Sequence, residues 1–409
     1  IMETKINPLI EYFYLLGLNT ETINNPEFYK ENNFLKSEFL QPNVLSKFPP
    51  IKKPNVDIDT NIIISHCFPK GFQLLESSTV PKDEVFHFSL NNVPSRHSKN
   101  KNIFYTCLLF YEALSGYYNI QKAINKDSLN SNNKNICEDI RSKNKKLTVD
   151  PRIKVSFNRN NNFLFNNYFS PKVICFCSFI PFPSEFKYLL TKLKDYCLGI
   201  IGRITIPIEK LIENLVITIP RPIRGRFNVK IKKDYFLLNG EDNDLDITQC
   251  DFNQYNYHSY KYQLIYEFSI DEIIEIYKCL LLEIPLLFFS KNKEKLTNIV
   301  HSFLELLSPF RYQYPHVAIL PDDYIGIIEH SKSFVLGINQ NWIDPETNEN
   351  FFERKKILIF NKPIRICIID YFDRPKLDLY YNKKDEGSVI TFEDLGKTNT
   401  NSDNNNNIV

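Results

Sequence analysis

Residues Leu304 to Asn339 read LELLSPFRYQYPHVAILPDDYIGIIEHSKSFVLGIN, and this run sets the architecture. Its leucine-rich start is the end of an apolar helix, stopped by Pro309. His316 to Leu320 then reads as a short buried strand. Pro321-Asp322-Asp323 is a helix start signal, because aspartate beside a helix N-terminus accepts from unpaired backbone N–H groups. Ser333 to Ile338 is the next strand. Strand, helix, strand in so short a span predicts parallel pairing, which needs a crossover rather than a tight hairpin.

The neighbouring sequence extends the alternation. Ser269 and Glu272 form a capping box, followed at helical spacing by Ile270, Ile273, Ile274, Tyr277 and Leu281. Glu283-Ile284-Pro285 ends that helix, and Leu286 to Phe289 reads as a buried strand. Leu296, Ile299, Val300, Phe303, Leu304 and Leu307 trace one face of a further helix. Lys356 to Phe360 and Ile364 to Ile369 read as two more strands. Upstream, Lys172 to Ile180 is a continuous apolar strand, Ser184 is the cap of an amphipathic helix, and Pro207 with Glu209 opens another. A basic hairpin spans Arg221 to Lys233, followed by an acidic loop from Asn239 to Asp251. The pattern predicts a three-layer α/β lobe with a largely parallel central sheet over 168–374, and a disordered tail over 375–409.

A separate α/β lobe is expected over 1–125. Ile10 to Gly17 reads as a buried strand, Phe68-Pro69-Lys70-Gly71 as a turn, Phe86 to Leu90 and Ile103 to Phe110 as strands, with helix from about Tyr111. Between them, 126–167 is rich in Asn, Lys and Ser and too poor in apolar residues to offset the entropy of ordering it, so it reads as a linker or insertion.

The net charge of +2 gives no drive toward nucleic acid. The 9 cysteines lie mostly in apolar runs without metal spacing, which predicts reduced, buried thiols in a cytoplasmic protein. The longest apolar segment, Ile276 to Phe289, contains Lys278, Glu283 and Pro285 and is too short to span a bilayer, so membrane contact is expected to be peripheral. Phosphate-cradling glycine motifs, a nucleophile elbow and His-x-x-x-His are absent from the sequence, so no cofactor, metal or catalytic residue is expected. Asp322-Asp323 is read first as a helix cap. The cluster Arg221, Arg224, Arg226, Lys230, Lys232 and Lys233 is read first as a lysine-protected edge strand, then as a contact for an acidic partner or anionic lipid.

The same stretches resemble DENN domains. The family's central module runs leucine-rich helix, Pro-Phe-x-Trp-Gln-His, strand, Leu-Pro, helix, strand. Here it is matched by Pro309-Phe310, Tyr312-Gln313-Tyr314 in place of Trp-Gln-His, Leu320-Pro321 and Phe334 to Asn339. Ser178 to Phe182, Ile219-Pro220-Arg221-Pro222, Leu280 to Glu283 and Ile366 to Asp370 match it in order. The N-terminal block is similar to the upstream, longin-like module through Tyr12-Phe13, Leu45 to Pro49, Cys67 to Gly71 and Tyr105 to Glu112. The family's downstream helical module is not recognisable.

The resemblance implies a guanine-nucleotide exchange factor for a Rab-family small GTPase in membrane trafficking, acting by binding and without covalent catalysis. A scaffold or tether for GTPases or a partner DENN subunit is the alternative. A GTPase-activating role through an arginine finger among Arg141, Arg152 and Arg159 is a third. The GTPase contacts the resemblance implies are Phe182, Pro183, Ser184, Arg221, Arg224, Tyr312, Tyr314, Asp322 and Asp323, with packing as the competing role for the aromatics and prolines.

Overall fold

The computed structural model describes residues 7–19, 21–22, 40–51, 59–92, 101–114, 168–197, 207–222, 228–231, 245–248, 258–357, 363–370, 376–383 and 386–390. The insertion over 126–167, with Arg141, Arg152 and Arg159, lies outside them, as does Arg224. Two compact units form, one from 1–85 and 90–251, the other from 86–89 and 252–409. Sheets of both parallel and antiparallel type occur, so the chain is a mixed α/β protein.

The strands of the first sheet are β1 (Tyr12–Leu18), β2 (Pro42–Phe48), β3 (Leu75–Glu76), β4 (Glu84–Asn92), β5 (Lys101–Ala113) and β6 (Tyr168–Ser178). Their order is β2-β1-β6-β5-β4, with β3 also on β6. β6 is as apolar as a doubly covered strand should be, yet both its long neighbours, β1 and β5, run antiparallel to it. It therefore joins a sheet begun more than 150 residues earlier rather than opening the next module, as expected for a block starting at 168. The chain stays extended to Ala113, past the helix expected from Tyr111, because β5 pairs with β6 out to Phe169.

Helix α1 (Thr60–Cys67) is capped by Asp59 and ends in the Phe68–Gly71 turn, where Gly71 takes φ 76. Helix α2 (Pro183–Cys197) puts Phe186, Leu189, Leu190 and Leu193 against Phe13 and Phe176. Each such fully buried side chain stabilises the fold by about 1.5–3 kcal/mol. The first turn of α2 is not capped by Ser184. Phe186 donates its N–H to the carbonyl of Phe182, so Pro183 is the first helical residue, where its missing N–H costs nothing. Helix α3 (Ile208–Glu213) runs into a π-helical turn, Asn214–Thr218, and buries Leu211, Ile212, Leu215 and Val216. The basic hairpin is shifted from its expected place. β7 (Asn228–Ile231) pairs with β8 (Leu245–Thr248), which lies within the supposed acidic loop.

The second unit holds α4 (His258–Glu267), α5 (Ile270–Leu281), β9 (Leu286–Phe289), α6 (Lys293–Leu306), β10 (His316–Val317), α7 (Ile327–His330), β11 (Val335–Ile338), α8 (Phe351–Lys355), β12 (Ile364–Ile368), β13 (Lys376–Lys383) and β14 (Glu386–Ile390). Strand order is β10-β11-β9-β12-β13-β14. The pairs β10·β11, β11·β9 and β9·β12 are parallel, and β12·β13 and β13·β14 antiparallel. The stretch after 375 is thus not all tail, since it adds two strands to the sheet. Strand His316 to Leu320 shrinks to two residues, and Pro321-Asp322-Asp323 starts only a 3₁₀ turn, Asp322–Tyr324, before α7. Lys356 is the left-handed cap of α8 rather than the start of a strand, and 358–360 lies outside the described residues.

Helix α6 packs Leu296, Ile299, Val300 and Phe303 inward. Next to it Gly337 permits a close strand approach, because a Cβ there would lie 2.0 Å from the Ala318 carbonyl oxygen. Helix α5 carries the expected capping box at Ser269 and Glu272. It buries Ile276, Cys279 and Leu280 but leaves Ile270, Ile274 and Leu281, part of the set at helical spacing, exposed.

Candidate functional site

Three parallel strands end in register. Phe289 at the end of β9 pairs with Ile338 of β11 and with Ile368 of β12. The apolar run of each strand gives way to a polar residue at or just past its end, at Ser290, Asn339 and Asp370. These three side chains clasp the strand ends together. The Asp370 carboxylate accepts from Ser290 Oγ at 2.6 Å and from the Lys291 N–H at 2.8 Å. Asn339 Nδ2 donates to the carbonyls of Ser290 at 3.1 Å and Lys291 at 2.8 Å. The clasp sits beside the N-terminus of α6, where Asn292 caps the Lys295 N–H. Lys295 lies 2.8 Å from Glu267 and 3.6 Å from Asp370.

A cavity of about 360 Å³ opens beside this clasp, lined by Phe289, Ser290, Gln340, Trp342, Ile343 and Asp370 among others. Open α/β sheets bind ligands at the carboxyl ends of their strands, and this cavity has that position. Its wall is rigid. Trp342 packs edge-on against Phe289 and Phe352, each at 5.2 Å, and Arg354 donates to the Asn341 carbonyl at 2.7 Å and to Asp344 at 3.1 Å. Gln340 Nε2 is buried there without a hydrogen-bond partner. Ser290 Oγ donates to Asp370, and the lining holds no histidine to take its proton as a general base would. Among the described residues no group of three His, Cys, Asp or Glu side chains is arranged to hold a metal. No helix among them is long and apolar enough to cross a membrane.

The contacts implied by sequence fall in several places. Phe182 and Pro183 are buried in the first unit's core, Phe182 against Phe186 at 5.8 Å, and their side chains offer no surface; Ser184 beside them is exposed. Arg221 is a core clamp rather than a free cation. Its Nη2 donates to Glu11 at 2.8 Å, its guanidinium lies 5.1 Å from the Phe179 ring, and its N–H donates to the Asn7 carbonyl. Tyr312 and Tyr314 precede β10, whereas Asp322 and Asp323 follow it, which places the pairs at opposite ends of a parallel strand. Tyr312 bonds Ser333 at 2.6 Å, and burial pushes its phenol above the usual range. Tyr314 donates to Glu283 at 2.8 Å, a bond that holds its proton and raises it likewise. Asp322 pairs with Lys355 at 2.7 Å, and Asp323 is exposed. The clasp residues Ser290, Asn339 and Asp370 went unread, although each is a polar residue at the end of an apolar strand. Cys67, Cys107, Cys175, Cys177, Cys279 and Cys367 are buried and form no disulfide.

The cavity thus lies at a parallel-strand end of an α/β unit, and its lining residues hold no reactive side-chain constellation. The family model described as the DENN (AEX-3) domain matches residues 169–354, from β6 into α8, so the chain carries a DENN domain there. DENN domains are known in exchange factors for Rab GTPases, which act by binding a small GTPase rather than by covalent catalysis.

Proposed function

We propose that this chain is a guanine-nucleotide exchange factor for a Rab-family small GTPase. The DENN match over 169–354 carries that reading. A GTPase holding nucleotide at picomolar affinity is bound by about −16 kcal/mol. A protein that binds the empty GTPase far more tightly than the loaded one must, by linkage, lower nucleotide affinity by the same factor. Such work needs a rigid, shaped surface and no catalytic residue. The exposed Ser184 and Asp323 and the half-buried Tyr314 are the proposed GTPase contacts, with Phe182, Pro183 and Arg221 holding the first unit around Ser184 and Tyr312 supporting Tyr314. The N-terminal block serves as a longin-like lobe, and the protein acts in the cytoplasm at trafficking membranes as a peripheral component.

The direct test is affinity for one Rab in its empty and GDP-loaded forms. The exchange reading expects the empty form to bind at least about 100-fold more tightly, about 2.7 kcal/mol. Equal affinity for both forms would make the chain a scaffold or tether, the second reading the family allows. Tyr314→Ala and Asp323→Lys should each weaken binding to the empty GTPase by about tenfold while leaving the thermal midpoint unchanged.

A further inference from the structure

Helix α5 carries an apolar seam that no described neighbour covers. Ile270, Ile274 and Leu281 are 75%, 45% and 53% exposed, and Leu282 extends the seam at 70%. With the half-buried Tyr277 they follow one another at spacings of four, three and four residues. That spacing keeps all four on one narrow stripe of a 3.6-residue helix, and it is the repeat with which a second helix packs knobs into holes. The opposite face is already committed, with Ile276, Cys279 and Leu280 buried. The seam is also firmly built, since the Ser269–Glu272 capping box fixes its first turn.

The charges beside the seam identify the occupant. Asp271 and Lys278 lie along the same flank, one helical repeat apart, with the acid toward the N-terminus and the base toward the C-terminus. Two copies of α5 laid antiparallel about a twofold axis set Ile270 opposite Leu281 and Ile274 opposite Tyr277. The same register sets Asp271 of each copy against Lys278 of the other. A parallel pairing leaves both charges facing apolar positions. Lys278 now reaches Glu275 at 3.1 Å in an exposed pair of three-residue spacing, an interaction weak enough to yield to a partner. We propose that α5 is a self-association surface, through which two copies of this chain pair antiparallel into a symmetric dimer. One 12-residue helix per copy makes a small interface, so the dimer is weak and concentration-dependent, with a dissociation constant of about 10–100 µM.

Sedimentation of the full chain over a concentration series reads this directly. Asp271→Lys and Lys278→Asp should each abolish the dimer by setting like charges together, and Ile274→Asp should do so by wetting the seam. Mixing the Asp271→Lys chain with the Lys278→Asp chain should restore a dimer, since every cross-contact is then of opposite charge. Circular dichroism melts separate loss of pairing from loss of fold. A monomer at every concentration would overturn the proposal and leave the seam to a helix of another protein. A dimer indifferent to these substitutions, or single variants whose mixture stays monomeric, would overturn it equally.

Discussion

At the scale of single residues, the charges that looked most available are those the fold holds most firmly. Arg221 sits in a basic stretch, read first as a lysine-protected edge strand and then as a contact for an acidic partner or anionic lipid. The structure gives its guanidinium to Glu11, whose side chain is only 6% exposed. Arg221→Ala should therefore cost about 3 kcal/mol, because it strands a buried carboxylate, and chemical denaturation will measure it. Adding Glu11→Gln to that variant should recover part of the loss; no recovery would mean that the pair is not what holds the segment. Gly337→Ala is expected to cost at least about 2 kcal/mol, since the new methyl would have to displace the Ala318 backbone. Neither role could be read in the sequence. Glu11 and Arg221 are 210 residues apart, and the need for glycine at 337 arises only when the 318–320 segment is laid against β11.

At the scale of elements, local chemistry was legible where it was self-contained. Both partners of the Ser269–Glu272 box lie in the sequence within one turn, as do the Glu283-Ile284-Pro285 stop and the apolar run of β9. Ser269→Ala should lower helix stability by about 1 kcal/mol and show as a lower thermal midpoint. What periodicity could not give was direction. An apolar stripe on α5 reads as core-facing, yet Ile270, Ile274 and Leu281 point to solvent because Ile276, Cys279 and Leu280 are the set that packs inward. The helix has two apolar faces, and only tertiary packing chooses between them. Likewise β6 has the composition of a doubly buried strand, but composition does not say whether its neighbours are parallel, and they are antiparallel. The cavity at the strand ends was missed for a related reason. Ser290, Asn339 and Asp370 are unremarkable singly, and become a clasp only when β11, β9 and β12 stand side by side in register.

At the scale of the whole molecule, stability should depend on acid in a defined window. Burial lowers His301 from its ordinary value of 6.5 to about 4. Between these values the unfolded chain binds a proton that the folded chain does not, so stability present above pH 6.5 is lost as pH falls toward 4. Replacing His301 by Gln should flatten the thermal midpoint against pH across that window; an unchanged slope would show that His301 is not the group responsible. The proposed exchange function rests on differential binding by the DENN domain matched over 169–354. The measurement that reaches it most directly is the release of a fluorescent GDP analogue from a panel of Rab GTPases, with the chain in excess and GTP as competitor. Accelerated release from one or a few members, without accelerated hydrolysis, is the expected result. Unchanged release from every member, with no preference for the empty form of any of them, would contradict an exchange function.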